Sequence, residues 1–457
     1  MLRLSRLLVL GTTFVCIALP GVRSQPTSDA NLPLPENYFP ALKEILRTAV
    51  KQSPRMVSRN ADSAAAEGNR IVLRAGQLPS LGGFAQYYPW DRQNRADVPG
   101  STTVNRLNYN LTLTQPIYHW KALQNNTRIG ELQLKMAQGQ TAEGYRMLVQ
   151  EIRSQYLALV VKKAALGRSH LARQMADNNF TVSQNKLEKK VISEADMFKP
   201  TLSRDQAILT EERMADDFVS TKLVFAKLCG MPPLSDDDIP NEIPDVSVVA
   251  PALEPILASF TSQKDPDTYS LRSLRNQIEV EKLTYANINT RLRPMFNLAA
   301  GTSLDQQSYT TNVAQRYAVT DYFVGLQVNW AVFDGFATSG AKASSMARRR
   351  QLELSYQSLS ADLTDQARDQ LKKVGFSRRA MELSNRLLTS STGALRDKKA
   401  DAARGLASET DVNTYQLQLM EAQLNAFTAR SDYLLRTTDF LSTTLQDPAL
   451  VNLPHQP

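Results

Sequence analysis

Arg106-Leu107-Asn108-Tyr109-Asn110-Leu111-Thr112-Leu113-Thr114-Gln115-Pro116-Ile117-Tyr118 decides the fold. Leu107, Tyr109, Leu111 and Leu113 fall on one side of an extended chain, and Asn108, Asn110, Thr112 and Thr114 fall on the other. A period of two marks a strand with one apolar and one polar face. The pattern returns 215 positions later in Asp321-Tyr322-Phe323-Val324-Gly325-Leu326-Gln327-Val328-Asn329-Trp330-Ala331-Val332-Phe333. There Tyr322, Val324, Leu326, Val328 and Trp330 share a side, and the opposite side is less consistently polar.

The same offset carries the rest of the chain. Pro79 falls on Pro294, Leu111 on Leu326, Tyr118 on Phe333 and Leu148 on Leu363. Ser193, Glu194 and Asp196 fall on Ser408, Glu409 and Asp411, and Phe225 falls on Phe440. A frame constant over that distance is the signature of an internal repeat. The chain divides into a first repeat at 25–233, an acidic, Pro-rich linker at 234–255, a second repeat at 256–446 and a tail at 447–457.

Each repeat reads as helix, strand pair, helical hairpin. The first helix is expected over 41–75, ending at Gly76, and a polar loop with Pro89, Pro99 and Gly100 joins the first two strands. Strands are expected at about 79–90, 106–118, 294–305 and 321–333, and hairpins at about 121–229 and 336–445. Residues 121–190 and 340–404 contain no proline, so each hairpin opens with a helix reaching about 100 Å at ~1.5 Å per residue. Leu148, Ile152, Gln155 and Leu159, and later Leu417, Met420, Leu424 and Phe427, recur at heptad-like spacing, as a coiled-coil hairpin requires.

Arg3 and Arg6 precede an apolar run, Leu7 to Leu19, broken by Pro20-Gly21. Residues 1–24 therefore read as a signal peptide, too short to span a bilayer. Phe14-Val15 ahead of Cys16 is too bulky for a lipidation site, and cleavage leaves Cys229 as the one thiol. Removing Arg3, Arg6 and Arg23 takes the net charge from +8 to +5, too modest and scattered for a nucleic-acid partner. At 7% aromatic and rich in Ala, Gln, Leu, Ser and Thr, the chain suits helices packed through small residues.

No uncharged apolar run near 18 residues follows residue 24, so a membrane would be met by strands closed into a barrel. On alternation alone, a soluble antiparallel sheet with one wet face is the commoner explanation. Strands of roughly 10 residues suit a tilted span. Tyr87, Tyr88 and Trp90 gather at one end of the strands, and Tyr118, Trp120, Trp330 and Phe333 at the other, as interfacial girdles do. Four strands close no barrel, so several chains are needed.

Together these residues resemble the TolC-like family of outer-membrane efflux proteins over nearly the whole mature chain. Leu78-Pro79-Ser80 opens the first strand, and Thr114-Gln115-Pro116-Ile117-Tyr118 resembles the family's S-Q-P-L-[FY]-D-G-G run. Trp330-Ala331-Val332-Phe333-Asp334-Gly335-Phe336 matches that run better, whereas His119-Trp120-Lys121 departs from it and leaves the turn geometry there open. Gly405-Leu406-Ala407-Ser408-Glu409-Thr410-Asp411 matches the family's G-x-x-[ST]-x-x-[DE] hairpin tip. The glycine suits a left-handed helix end, and Ser408 with Asp411 suits a capping box. The first tip keeps Ser193 and Asp196 but has Lys190 in place of the glycine, so either the turn is distorted or Asn185 ends the helix early.

The resemblance implies a mixed α and β membrane protein. Its duplicated module would give four strands of a trimeric twelve-stranded β-barrel, continued by a long α-helical coiled-coil tunnel. It implies a homotrimer in outer-membrane lipid, facing the periplasm of a Gram-negative-type bacterium. Partners would be a periplasmic adaptor (membrane fusion) protein and, through it, an inner-membrane pump. Lys190, Ser193, Asp196, Gly405, Ser408 and Asp411 would be the adaptor-docking tips. Asp411 would stand at the periplasmic entrance with Thr414, which is not acidic; a simple capping role for Asp411 is the equal alternative.

No enzyme chemistry is legible. His119, His170 and His455 lack ligand spacing, and no Walker loop, dinucleotide fingerprint or nucleophile elbow occurs, so neither cofactor nor metal is expected. Gly82-Gly83 lies on a strand, Arg348-Arg349-Arg350 suits a solvated helix face, and the methionines are too dispersed to name a metal cargo. Three functions stay open: the duct of a tripartite efflux pump, the duct of a type I secretion system, or a periplasmic coiled-coil scaffold without a pore.

Overall fold

The computed structural model describes residues 32–94, 100–248, 253–263, 266–307 and 317–451; the expected signal peptide, Cys16, Pro99 and His455 lie outside them. The elements run α1 (Pro35–Tyr38), α2 (Pro40–Gln52), α3 (Pro54–Ala75), β1 (Ser80–Asn94), β2 (Ser101–Tyr118) and α4 (Ala122–Glu188). A 3₁₀ turn (Ala195–Met197) then leads into α5 (Phe198–Cys229) and α6 (Glu254–Ser262). The second half follows as α7 (Tyr269–Ile288), β3 (Met295–Gln307), β4 (Tyr317–Asn329), α8 (Ala337–Ala403), α9 (Glu409–Thr443) and α10 (Pro448–Val451). The two 67-residue helices begin 215 residues apart, at Ala122 and Ala337, and end 215 apart, at Glu188 and Ala403. The mixed fold is thus a duplicated module.

The four strands form one antiparallel sheet in the order β1-β2-β3-β4, so the halves join where β2 pairs with β3. The helices pack on one another and not on the sheet, and the two long ones begin just after the ends of β2 and β4. Among them α3 packs on α4, α4 on α7 and α7 on α8, and the hairpins α4–α5 and α8–α9 run beyond them.

The core lies among the helices. Leu148, Ile152, Tyr156 and Leu159 of α4 meet Phe225 and Cys229 of α5, Leu42 of α2, and Tyr433 and Phe440 of α9, all nearly free of solvent. Rings of Phe39 and Tyr156 pack edge to face at 5.5 Å. Burying each large side chain contributes about 1.5–3 kcal/mol. Toward the second tip α9 buries the small residues Ala422 and Ala426. Burial pushes the Cys229 thiol up to about 12, so it stays protonated.

Several expectations are corrected. The helix at 41–75 is two helices, because Pro54 has no N–H to continue α2 and instead opens α3 after an extended Ser53. Pro89 lies within β1 and not in a loop; the ladder shifts between Tyr88 and Asp91, and this bulge absorbs the missing donor. β4 stops at Asn329, leaving Trp330 and Phe333 in the connection that follows. The linker is pinned to the helices: Ile239, Ile243 and Val246 are buried, Lys163 Nζ donates to the Asp236 and Ile239 carbonyls at 2.6 Å, and Arg430 donates to the Ile243 carbonyl at 2.7 Å. The tail begins with a fully buried Asp447 and a short helix, α10.

Candidate functional site: the strand wall and the hairpin tips

Residues directly opposite in an antiparallel ladder share a face of the sheet. Tyr87↔Leu107, Leu111↔Gly83, Leu111↔Thr302, Leu298↔Leu326, Ala300↔Val324 and Phe296↔Val328 therefore bring the apolar residues of all four strands to one side. The other side carries Gln86, Asn108, Asn110, Thr112, Asn297, Ser303, Gln327 and Asn329, with Phe84 and Phe323 among them. Leu326 and Val324 of the apolar side are 62% and 78% exposed in one copy, a cost that single-chain folding leaves in place. Gly301 is where β3 crosses closest to its neighbours. A Cβ there would stand 2.4 Å from the Leu111 carbonyl oxygen and 2.8 Å from the Phe323 ring.

The aromatics expected at membrane interfaces separate by face. Tyr87 lies on the apolar side, whereas Tyr88, opposite Arg106 and stacked under its guanidinium at 5.2 Å, lies on the polar side. Trp90 is exposed within the ladder shift. At the helix-facing end, Trp120 Nε1 donates to the Pro294 carbonyl at 2.8 Å and Trp330 Nε1 to the Leu292 carbonyl at 3.1 Å, so both indoles hold the segment entering β3. Tyr118 packs on Trp120 at 4.9 Å, and Phe333 on Phe336 at 5.5 Å.

The turn at His119-Trp120-Lys121 keeps the geometry of its repeat. Trp120 and Lys121 have φ of 53° and 66°, matching 62° and 66° at Gly335 and Phe336. A left-handed non-glycine costs roughly 1–2 kcal/mol. Here the Trp120 hydrogen bond, the Tyr118 contact and Arg293, 4.8 Å over the indole, offset it. Asp334 accepts from Thr338 N at 2.9 Å and Oγ1 at 2.5 Å, steadying the first turn of α8. His119, its counterpart, instead pairs with Asn297 Oδ1 at 2.8 Å.

Both tips end their long helices identically. Gly405 N donates to Ala402 O at 2.9 Å and Leu406 N to Asp401 O at 2.9 Å; Lys190 N donates to Leu187 O at 2.8 Å and Val191 N to Lys186 O at 2.8 Å. This is the Schellman closure. Lys190, at φ 53°, takes the conformation Gly405 takes at 75°. The first turn is therefore undistorted, and the helix runs past Asn185 to Glu188.

Each return begins with reciprocal caps. Asp411 N donates to Ser408 Oγ at 3.2 Å while Ser408 N and Oγ donate to Asp411 Oδ2 at 3.0 and 2.8 Å. Ser193 and Asp196 repeat the three bonds at 3.3, 2.9 and 2.7 Å. The Ser408 hydroxyl and then its backbone N–H hold Asp411 below the usual carboxylate range, with Lys398 adding to the effect. For Asp196 the Ser193 backbone N–H leads, followed by the hydroxyl. Asp411 is exposed, and Thr414 bonds back to the Thr410 carbonyl at 2.8 Å.

Residues 45–184 match the family described as outer membrane efflux protein. Solved structures share the fold along nearly the full length. The CmeC outer membrane channel of Campylobacter jejuni is 12% identical, with 89% of this chain and 85% of that one covered, at a TM-score of 0.67. A membrane protein from Pseudomonas aeruginosa is 16% identical, covering 94% and 99%, at 0.66. The outer membrane protein VceC of Vibrio cholerae is 14% identical, covering 90% and 97%, at 0.64. The chain has the fold of these membrane proteins. No curated protein sequence matches it.

One structural centre of the chain escapes the sequence pattern. Arg153, fully buried on α4, donates through Nε to Glu36 at 2.7 Å and through both Nη to Asp447, while Ala449 N donates to Asp447 at 3.0 Å. The two carboxylates outweigh the burial penalty and raise the guanidinium further above its ordinary range. Its partners lie 117 and 294 residues away, so no local signal marks the site. Among the described residues no His, Cys, Asp or Glu cluster could hold a metal ion, and no helix is long and apolar enough to cross a membrane.

Proposed function

We propose that this chain is one third of a trimeric outer-membrane duct that exports substrates across the periplasm and outer membrane as part of a tripartite efflux pump. The observation that carries this is a four-stranded sheet with one continuous apolar face, one polar face and an unpaired edge on each side, mounted on 67-residue helices about 100 Å long. Closing such edges between copies removes them, turns the apolar face to lipid and the polar face to a water-filled lumen. Three copies give twelve strands, the number the TolC-like resemblance implies. The match to the outer membrane efflux protein family and the solved relatives described as outer-membrane channels support the same function.

The tips at Lys190, Ser193, Asp196, Gly405, Ser408 and Asp411 are the proposed docking points for a periplasmic adaptor. Asp411 and Thr414 stand at the proposed entrance, with a single carboxylate per copy. Substrates pass without covalent chemistry, and the energy comes from the inner-membrane pump.

The deciding experiment is fractionation followed by conductance. The protein is expected in the outer membrane, as an SDS-resistant trimer that conducts in planar bilayers. A soluble periplasmic monomer would sink the duct in favour of a scaffold. Bulky replacements at Gly405 and Ser408 are expected to abolish efflux while membrane insertion survives; undiminished efflux removes the tips as docking points.

A further inference from the structure

We propose that Trp120 and Arg293 hold the phosphate of one membrane phospholipid per copy, at the end of the strands nearest the helices. The proposal rests on the duct above, which turns the apolar face of the sheet to lipid. It adds a bound headgroup at a fixed place on that wall.

The place is marked by a departure between the repeats. The second repeat turns from β4 into α8 through Gly335, at φ 62°. The first repeat makes the same turn with Trp120 at φ 53°, a conformation that only glycine adopts without steric cost. The turn itself therefore does not require the indole. A second difference accompanies it: Arg293, in the segment entering β3, has Leu78 as its counterpart 215 residues earlier. The two exchanged residues meet in space, with the Arg293 guanidinium 4.8 Å over the Trp120 ring. Neither Gly335 nor Leu78 can supply such a pair.

The surroundings hold both groups on the lipid side. Trp120 Nε1 donates to the Pro294 carbonyl at 2.8 Å, which pins the indole. Tyr118 packs edge-on against it at 4.9 Å. Tyr118 stands opposite Phe296, and Phe296 opposite Val328, so all three belong to the apolar face. The row Tyr118, Trp120, Arg293 thus leads from the end of the apolar wall to a cation. β2 and β3 are the inner strands of the four, so joining copies along the open edges leaves the row uncovered.

The cation is uncompensated. A guanidinium stacked by its face keeps its five N–H donors, which lie in its plane and match phosphate oxygens in pairs. Among the described residues no acceptor takes a hydrogen bond from the Arg293 side chain and no carboxylate pairs with it. Lys121, exposed and next to Trp120 in the chain, has no carboxylate partner among them either. Phenol ring, indole and guanidinium follow the order of a phospholipid from acyl chain through glycerol to phosphate, with the amphipathic ring at headgroup level. Free phosphate would use the cation and leave the apolar part of the row unmatched.

Native mass spectrometry of full-length trimers in detergent, titrated with phosphatidylglycerol, tests the site. One tightly retained lipid per copy is expected. Arg293→Gln is expected to weaken retention about tenfold, the loss of one hydrogen bond between charged groups. Trp120→Gly, which gives the turn the residue of the second repeat, should weaken it as well; Arg293→Gln carries the test where that variant fails to assemble. Diacylglycerol with the same chains is expected not to be retained, and inorganic phosphate not to displace the lipid at matched concentration. Unchanged retention by Arg293→Gln trimers, equal retention of diacylglycerol, or displacement by inorganic phosphate overturns the inference and leaves the duct standing. A parent chain that forms no membrane-inserted trimer overturns both.

Discussion

Arg153 and Asp447, 294 residues apart, form a bidentate pair from which solvent is fully excluded, and Glu36 closes the triad from the other end of the chain. One guanidinium thereby fastens the segment before α2, the first long helix and the segment after α9. Arg153→Met leaves two carboxylates facing a buried site without their cation. Removing one partner of a buried pair costs about 3–5 kcal/mol. The expected result is a lower unfolding midpoint and less protein in the membrane; a midpoint unchanged from the parent would show that the triad holds nothing together.

The sheet faces make opposite demands on neighbouring residues. Leu326 on the apolar face and Gln327 on the polar face are adjacent in β4. A lysine facing lipid near the bilayer midplane costs roughly 2–4 kcal/mol, whereas a lumen position tolerates it. Leu326→Lys is therefore expected to lower assembly sharply, and Gln327→Lys to assemble normally with altered ion selectivity. Equal assembly of the two would mean that the faces are not oriented toward lipid and lumen.

The two tips share one left-handed backbone conformation and differ in the residue that adopts it, Gly405 or Lys190. A Cβ on Gly405 would touch nothing within 4 Å, so Gly405→Ala tests only the left-handed φ of 75°. The cost is on the order of 1 kcal/mol, and Lys190→Gly should return a similar or smaller gain. Amide exchange in the last turns of α8 and α4 reads both changes. Faster exchange in Lys190→Gly contradicts the account.

Acid should loosen both returns. The carboxyls of Asp196 and Asp411 are held below their ordinary range in the folded protein. Their contribution is fully present above the unfolded value near ~3.9, and it is lost as pH falls through the lowered folded value. Exchange at the first amides after Ser193 and Ser408 is expected to accelerate below about pH 4. Ser408→Ala should accelerate exchange at its own tip roughly fivefold at neutral pH. Protection that is flat from neutral pH to the acid limit would remove the carboxylates from the cap.

Gly301 is the tightest point of the wall. Gly301→Val must displace either the Leu111 backbone or the Phe323 ring, at about 1–3 kcal/mol. Weaker β2–β3 pairing should appear as loss of the heat-resistant oligomer, with the hairpin helices retained by circular dichroism. Gly325→Val, with nothing within 4 Å of its Cβ in one copy, is the comparison.

The sequence by itself determined whatever repeats at short range or at a constant offset. The period of two around Leu111 and Leu326, the proline-free helices and the caps at Ser193 and Ser408 are local, because backbone geometry and neighbouring hydrogen bonds make them. The offset of 215 marks the duplication without reference to any contact. Single residues that broke a pattern were harder. Pro54 split one expected helix, Pro89 proved compatible with a strand once a bulge took it up, and Lys190 and Trp120 adopted left-handed backbone because surrounding bonds held them there.

Tertiary structure alone decided what depends on distant parts of the chain. The joining of the halves at β2–β3 and the shared apolar face of four strands follow from register between segments nearly two hundred residues apart. The triad of Arg153, Glu36 and Asp447 joins three segments that no spacing connects, and the buried linker residues Ile239 and Ile243 lie in a stretch whose composition says only loop. The physical reason is common to all of them. A local pattern fixes which face of an element is apolar, but only packing decides what that face meets and which buried charge must find its partner.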